Sequence, residues 1–169
     1  MTAYPDVRWG SENSKLRKPF IAFSTTKPGS WLIKTMTPLD RRLLIRTKGK
    51  YTALGPIGAP TMLLTTIGAK SGLARTSPLL YSRDGDSIIV VGSNFGQSHH
   101  PAWTSNLIAH PDDVVVTIGG VEVPSRAELL TGEEAEAGYA RMVEATRTYT
   151  EYRSRTDRAI RVFRLTPKD

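Results

Sequence analysis

The chain has 169 residues, 39% of them hydrophobic and 23% charged, a composition typical of one soluble globular domain. It contains no cysteine, which excludes disulfides and thiolate metal sites, and no apolar run approaches the ~20 residues that cross a bilayer. The formal charge of +7 is concentrated in residues 1–50, which hold 11 lysines and arginines against 3 acidic residues. Residues 51–169 hold 12 against 13, so the body lacks the basic face of a nucleic-acid-binding fold.

The N-terminal region is predicted to be a separate arm. Residues 1–29 are polar and contain three prolines, which predicts an irregular basic arm ahead of a single domain at 30–169. The first residues also lack the apolar core of a signal peptide, so a cytoplasmic location is the default expectation.

A basic amphipathic helix is predicted at residues 31–50, with a kink at Pro38. The residues expected on its apolar face are Leu32, Met36, Leu39 and Leu43. Such a helix either packs on the domain or rests on an anionic membrane as a peripheral contact. Exposed side chains at Leu43, Leu44 and Ile45 would favour the membrane, and burial of all three would count against it.

Six strands dominate the rest of the chain. Alternating apolar residues and turn signals predict strands at 61–67, 74–82, 87–93, 113–118, 121–130 and 159–167. A short helix is predicted at 101–110, with Pro101 at its first position, and an acidic helix from Thr131 to about Tyr149. Because so few helices separate the strands, the fold class is mainly β (α+β), with an antiparallel sheet curled into a barrel and peripheral helices.

The turn between the first two strands, within TTIGAKSGLART (65–76), is rich in glycine and carries Lys70 and Arg75. A hairpin that only reverses the chain needs two residues such as Asn-Gly. Two cations and loop N–H groups are able to hold a phosphate or a carboxylate. A solvated hairpin turn explains the same residues equally well, so both interpretations stay open at this point.

The stretch VVGSNFGQSHHPAW (90–103) is the second candidate for a site. A strand that ends at Gly92 and Ser93 lets a flat ligand approach the backbone, and Trp103 is able to wall a planar ring or simply to fill the core. The adjacent His99 and His100 point apart and have no carboxylate at ligand spacing, so no metal site is expected.

Two tyrosines near the C-terminal end of the acidic helix, Tyr149 and Tyr152, share one helical face. Their hydroxyl groups either line the mouth of a substrate site or remain exposed beside packed rings. Just beyond them, Asp157 and Arg158 are expected to form an ion pair that holds the loop.

With these stretches in order, the chain resembles the deazaflavin-dependent nitroreductase family of actinobacteria from about residue 31 to 167. The carriers are the T-T-x-G-x-K-[ST]-G-x-x-R run, the P-x-W element and, more weakly, TYTEYRSRTDRAIRVFRLTP. The resemblance implies a split β-barrel that binds coenzyme F420, a deazaflavin with a phosphate and a polyglutamate tail. Related split barrels often dimerise, which makes a homodimer an expectation.

The resemblance also assigns roles by position. It places Lys70 and Arg75 at the cofactor phosphate and tail, and Ser93, Tyr149 and Tyr152 at the reacting end. The other positions that it implies for cofactor contact are Ser77, Pro78, Gly92, Asn94, Pro101 and Trp103. Leu80 and Thr146 stand where the nitroreductase has tyrosines, which casts doubt on nitroimidazole reduction more than on cofactor binding.

Two functions from different classes follow. The first is an F420H2-dependent reductase that transfers a hydride to an electron-poor small molecule such as an activated enone, a quinone or a nitroaromatic. In it, Ser93, Tyr149 or Tyr152 donates a hydrogen bond to the acceptor oxygen that gains charge. The second is a non-catalytic binding protein for F420, another flavin, haem or a fatty acid.

Overall fold

The computed structural model describes residues 3–7, 39–40, 42–51, 60–145, 148–154 and 156–169. Its seven strands are β1 Thr61–Ile67, β2 Ala74–Leu80, β3 Ser82–Asp84, β4 Ser87–Val91, β5 Val114–Ile118, β6 Val121–Leu130 and β7 Val162–Pro167. Its helices are α1 Ala102–Ala109, α2 Gly132–Ala145 and α3 Thr148–Ser154, with a 3₁₀ turn at Asn94–Gly96. No described helix has the length and apolar character needed to span a bilayer.

All seven strands belong to one sheet, in the order β2-β1-β5-β6-β7-β4-β3, and every neighbouring pair is antiparallel. A flat sheet of this width would place its edge strands about 29 Å apart. Yet β2 and β3, the two edges, are separated in sequence by Tyr81 alone. Two residues of chain reach only about 7 Å, so the sheet must curl until its edges meet. The predicted antiparallel barrel is therefore confirmed.

The side chains of the strands alternate between two apolar clusters, as the pleat requires. The inner cluster fills the barrel with buried residues of β1, β4, β5, β6 and β7, and Leu79 of β2 packs against it. Its members include Met62, Leu64, Ile88, Val90, Val116, Phe163 and Leu165. The outer cluster joins the reverse face of β4 and β7 to the helices, and includes Ile89, Val91, Val162, Tyr139, Met142 and Tyr149. Strand β4 is thus covered on both faces, and α2 and α3 lie outside the barrel.

The structure departs from the predicted elements at three places. The expected single strand at 74–82 is divided at Tyr81 into β2 and β3, which raises the count from six strands to seven. The acidic helix ends at Ala145 instead of about Tyr149, which lies in the separate helix α3. Pro101 is the residue before α1, with an extended backbone, instead of its first helical residue.

The helical segment at 39–46, of which residue 41 is not described, presents a different face to the domain from the predicted one. Leu39 is 61% exposed, whereas Asp40 and Leu44 are buried one turn apart. Leu43 is half-buried and Ile45 is 41% exposed, so the three residues that were to decide between membrane and domain give a divided answer. Membrane contact stays a prediction, and Leu32 and Met36 lie outside the described residues.

The N-terminal residues 3–7 belong to the barrel. Tyr4 is buried in the inner cluster, and its hydroxyl donates a 2.8 Å hydrogen bond to Ser125 Oγ. Arg83 donates to the carbonyl oxygens of Tyr4 and Pro5, at 3.2 and 2.6 Å for Nη2. Burial raises the pKa of Tyr4 to about 12, so the bond to Ser125 is made by a neutral phenol. The arm predicted for residues 1–29 otherwise lies outside the described residues.

Replacing Tyr4 should therefore destabilise the fold. We expect Tyr4→Phe to lower the free energy of unfolding by about 1 kcal/mol, because one buried hydrogen bond is lost. Tyr4→Ala should cost about 3–5 kcal/mol, because it also empties the space of the ring. Urea unfolding measures both changes. A double-mutant cycle with Ser125→Ala isolates the hydrogen bond, and strictly additive losses would contradict its contribution.

Candidate active site

The turn between β1 and β2 is held by its own backbone. The N–H of Gly68 donates to Leu73 O at 2.9 Å, and the N–H of Gly72 donates to Gly68 O at 2.8 Å. Gly72 has a φ of +65°, a left-handed conformation that favours glycine. Within the turn, the N–H groups of Lys70 and Ser71 have no hydrogen-bond partner among the described residues. The turn is thus a rigid support with two available donors.

A buried asparagine on helix α1 anchors the same turn. Asn106 is 7% exposed, accepts a 3.0 Å hydrogen bond from the N–H of Ala69, and donates one of 3.0 Å to Thr66 Oγ1. It lies with Trp103 and Leu107 on the buried face of α1. We did not predict this role from the sequence, although a polar residue on an apolar helical face was the available signal.

Strand β2 divides the predicted cofactor residues between two faces of the sheet. Arg75 lies opposite Thr66, and Ser77 lies opposite Leu64. Both therefore occupy the face of the sheet that carries Thr66, to which Asn106 donates its hydrogen bond. Pro78 belongs to the other face. Lys70 and Arg75 are both exposed, and neither forms an ion pair with a described residue. At the turn end of this hairpin, Lys70 and Arg75 are thus two cations that no described acidic side chain neutralises.

The loop after β4 is packed closely against helix α1. Gly92 is buried, and a Cβ atom there would lie 2.6 Å from Thr104 Cγ2. Its N–H donates to Arg161 O at 2.8 Å. The small residue at this strand end therefore meets a requirement of internal packing, which the sequence interpretation attributed to a ligand alone. Asn94 follows with a φ of +48° and donates a 3.1 Å hydrogen bond to His99 O.

Ser93 and Tyr149, predicted from different parts of the chain, meet in the structure. Both are buried, at 5% and 8% exposure, and the Ser93 side chain lies close enough to the Tyr149 hydroxyl to affect its pKa. Burial is the main cause that raises the pKa of the Tyr149 hydroxyl, and Tyr152 and Tyr139 add to the rise, while the Ser93 side chain opposes it. Tyr149 is therefore a neutral phenol at physiological pH, able to donate a hydrogen bond.

Tyr152 completes this group from the next turn of α3. Its ring meets that of Tyr149 edge to face, with centroids 5.4 Å apart. Tyr139 on α2 donates a 2.6 Å hydrogen bond to Tyr149 O, which fixes the start of α3. Leu80 packs against the same outer cluster as Tyr149 and Tyr152. The residue that the resemblance aligns with a tyrosine of the nitroreductase is therefore an apolar side chain packed on this cluster, and Thr146 lies outside the described residues.

Pro101 and Trp103, two further predicted cofactor residues, make contacts within the protein itself. Pro101 precedes α1, and its carbonyl oxygen accepts from the N–H and the Oγ1 of Thr104 at 3.1 and 2.8 Å. Trp103 is 8% exposed, belongs to the inner cluster and packs on Phe163 with ring centroids 5.9 Å apart. Any contact of these two residues with a cofactor stays a prediction.

Arg158 does not form the expected ion pair with Asp157. It donates instead to the carbonyl oxygens of Gly92 and Ser93, at 3.0 and 2.7 Å from Nη2, and to Gln97 O at 2.9 Å from Nε. The prediction that Arg158 holds the loop had the wrong partner. No group of three potential metal-ligating side chains occurs in the part of the chain that the structure describes.

Comparison with known proteins supplies the family. The family model of the F420H2-dependent quinone reductases matches residues 40–167. The chain belongs to that family. It is 36% identical over 125 residues to an F420H2-dependent quinone reductase of Mycobacterium tuberculosis, covering 71% of this chain and 82% of the relative.

Two solved structures extend this similarity. An F420H2-dependent reductase, FDR-A, is 40% identical with a TM-score of 0.58, and the match covers 63% of this chain and 93% of that one. A protein described as a domain-swapped dimer is 34% identical with a TM-score of 0.60, over 82% of this chain and 99% of the other. The similarity to FDR-A, together with the curled antiparallel sheet, confirms the predicted split-barrel fold class.

The residues present are suited to the cofactor that this family uses. A long anionic group requires cations that are not neutralised internally, and Lys70 and Arg75 meet that requirement among the described residues. A reacting ring requires surroundings that exclude water and offer few hydrogen-bond donors. Ser93 and Tyr149 are buried and carry one hydroxyl group each.

The packing of Gly92 is open to a direct test. We expect Gly92→Ala to lower the free energy of unfolding by about 1–3 kcal/mol, because the added methyl group overlaps Thr104 Cγ2. Thr104→Ser removes that methyl group and keeps the hydroxyl, so the double variant should recover most of the loss. Thermal or urea unfolding measures the effect, and equal losses in the single and double variants would refute the packing argument.

Proposed function

We propose that this protein transfers a hydride from reduced coenzyme F420 to a quinone. The observation that carries the proposal is the buried, neutral hydroxyl of Tyr149, which lies beside Ser93 in the outer cluster against which Leu80 and Tyr152 pack. The relatives named as quinone reductases support a quinone over an enone or a nitroaromatic as the acceptor.

The roles of the residues follow from their charge and burial. Lys70 and Arg75, with the N–H groups of the turn, bind the phosphate and acidic tail of the cofactor. Ser93 and Tyr149 lie at the reacting end of the cofactor. We assign the remaining contacts of the cofactor to Ser77, Pro78, Gly92, Asn94, Pro101 and Trp103. When bound, the reduced deazaflavin supplies the hydride.

Quinone reduction consumes one hydride and one proton and yields a hydroquinone. Negative charge develops on the carbonyl oxygen of the quinone as the hydride arrives. Tyr149 donates a hydrogen bond to that oxygen, and its raised pKa keeps it protonated for this task. Tyr152 restricts the Tyr149 ring by the edge-to-face contact, and Leu80 keeps water away from the acceptor.

The proposed donor is tested by Tyr149→Phe. We expect kcat with a soluble naphthoquinone to fall about tenfold to a hundredfold, because a donor to a developing oxyanion is lost. Oxidation of F420H2 is followed by absorbance under anaerobic conditions. Tyr51→Phe, at a residue 49% exposed, serves as the control and should leave kcat unchanged. Tight F420 binding by the wild type without turnover of any quinone, enone or nitroaromatic would instead support a binding protein.

The proposed anchor of the cofactor is tested by Lys70→Gln with Arg75→Gln. We expect the double variant to bind F420 at least about tenfold more weakly, because charge-assisted contacts contribute about 1.5–3 kcal/mol each. Fluorescence titration measures the Kd, and the salt dependence of binding should be shallower in the variant. The control is Lys48→Gln with Arg126→Gln, which changes net charge equally at cations paired with Glu122 and Asp112. Equal losses in both double variants would refute a specific anchor.

A further inference from the structure

The guanidinium of Arg158 makes four hydrogen bonds within one loop. Besides the carbonyl oxygens of Gly92, Ser93 and Gln97, it donates from Nη1 to His100 Nδ1 at 3.1 Å. An arginine presents its donors in a fixed planar fork, and a lysine has no equivalent arrangement. One side chain thus fixes three backbone groups and one imidazole at the same time.

Besides Arg158, the loop is held by the N–H of Gly92, which donates to Arg161 O, by the Asn94 side chain, which donates to His99 O, and by its own backbone. Its internal backbone bonds are those of a short 3₁₀ turn, from Gly96 N to Ser93 O at 3.0 Å and from Gln97 N to Asn94 O at 3.0 Å. The carbonyl of Ser93 therefore accepts both from Gly96 and from Arg158. Because hydrogen bonds to a charged group are stronger than neutral ones, Arg158 is the main support of this backbone.

Arg158 also connects the two halves of the Ser93–Tyr149 pair. It follows helix α3, which carries Tyr149, by four residues, and it bonds directly to the backbone of Ser93. The position of Ser93 relative to α3 therefore depends on this side chain. A small displacement at a reacting group is sufficient to slow a reaction substantially.

His100 adds a dependence on protonation. Its Nδ1 accepts from Arg158, so its proton is on Nε2 and the imidazole is neutral. The charged groups that face it are Arg158 and Arg161, both cations, and Arg161 is held on α1 by Thr104 Oγ1 and Ser105 Oγ at 3.1 and 3.2 Å. Burial, followed by Arg161 and Arg158, lowers the pKa of His100 below 6.5. A second proton would turn the Nδ1 acceptor into a donor that opposes the guanidinium.

We propose that Arg158 is a positioning residue that fixes Ser93 against Tyr149, and that protonation of His100 releases this contact in acid. This inference rests on the proposed hydride transfer for its effect on turnover, but the contact itself is measurable without cofactor. Neutral His100 maintains the loop at and above pH 6.5, and the loop loosens as pH falls through the lowered pKa of His100.

Amide hydrogen exchange of the unliganded protein tests the contact directly. In Arg158→Lys, which keeps the charge, we expect the amides of Gly96 and Gln97 to exchange at least about tenfold faster while the sheet amides are unchanged. Arg126→Lys, at an exposed arginine beside Asp112, is the control and should leave the loop unchanged. Unchanged exchange at Gly96 and Gln97 in Arg158→Lys would overturn the proposal. If that variant unfolds, His100→Leu, which removes a single acceptor, should show the same acceleration to a smaller degree.

Kinetics then separates positioning from a general loss of structure. In Arg158→Lys we expect kcat to fall about tenfold while the KM for F420H2 changes less than about threefold, because Lys70 and Arg75 are untouched. The wild type should lose kcat below pH 6.5, and this loss should be absent in His100→Leu and present in His99→Leu. A pH profile that His100→Leu does not alter would overturn the role of His100.

Failure of the proposed function gives a different result from failure of this inference. If the wild type turns over no acceptor, the proposed function fails, and the exchange of Gly96 and Gln97, corrected for the intrinsic effect of pH, still decides the inference. Protection that declines below pH 6.5 in the wild type but not in His100→Leu would support it, and protection independent of pH in both would refute it.

Discussion

The closure of the sheet at Tyr81 is the constraint on which the remaining structure depends. One stretch of chain, residues 74–84, supplies both edges of the sheet, so the seven strands have to curl around a common interior. Tyr81 itself is 1% exposed, and its N–H donates to Pro60 O at 3.1 Å. Arg83, two residues on, places its guanidinium 5.8 Å from the Tyr81 ring centroid and bonds the backbone of Tyr4. Because the interior is filled by side chains, a ligand has to bind outside it.

The filled interior explains why the candidate site lies on the outside of the barrel. Ile89 and Val91 of β4 and Val162 of β7 form an apolar outer surface, against which α2 and α3 pack. Ser93 follows β4 where this cover begins, and Tyr149 and Tyr152 come from α3. The turn with Lys70 and Arg75 lies at the end of the β1–β2 hairpin, and Asn106 of α1 accepts a hydrogen bond from its backbone.

The sequence alone predicted most of the fold and part of the site. Apolar residues and turn signals identified the strand regions, because most strands bury apolar side chains in the barrel, but the break at Tyr81 has no glycine or proline to mark it. The face of the 39–46 segment was misjudged because Asp40, a charged residue, is buried there. Ser93 and Tyr149 were candidates from the strand end and the helical face, and the resemblance gave them roles, whereas Asn106 was not singled out and Arg158 was expected to pair with Asp157. Asn106 and Arg158 bond to backbone groups 37 and 65 residues away, and contacts so distant in sequence cannot be predicted from a local residue pattern.

The place of β7 in the sheet has a consequence for how the protein is made. Although it is the last strand in sequence, β7 lies between β6 and β4, and it supplies Phe163 and Leu165 to the interior. A ribosome-bound chain that stops before residue 162 therefore holds two half-sheets with unpaired edges, and the backbone of Ser93 has no arginine to bind until residue 158 has emerged. Such non-local pairing is slow to form. The barrel and its reacting corner are thus completed together, once residues 158–167 have emerged, and a nascent chain needs protection from aggregation until then.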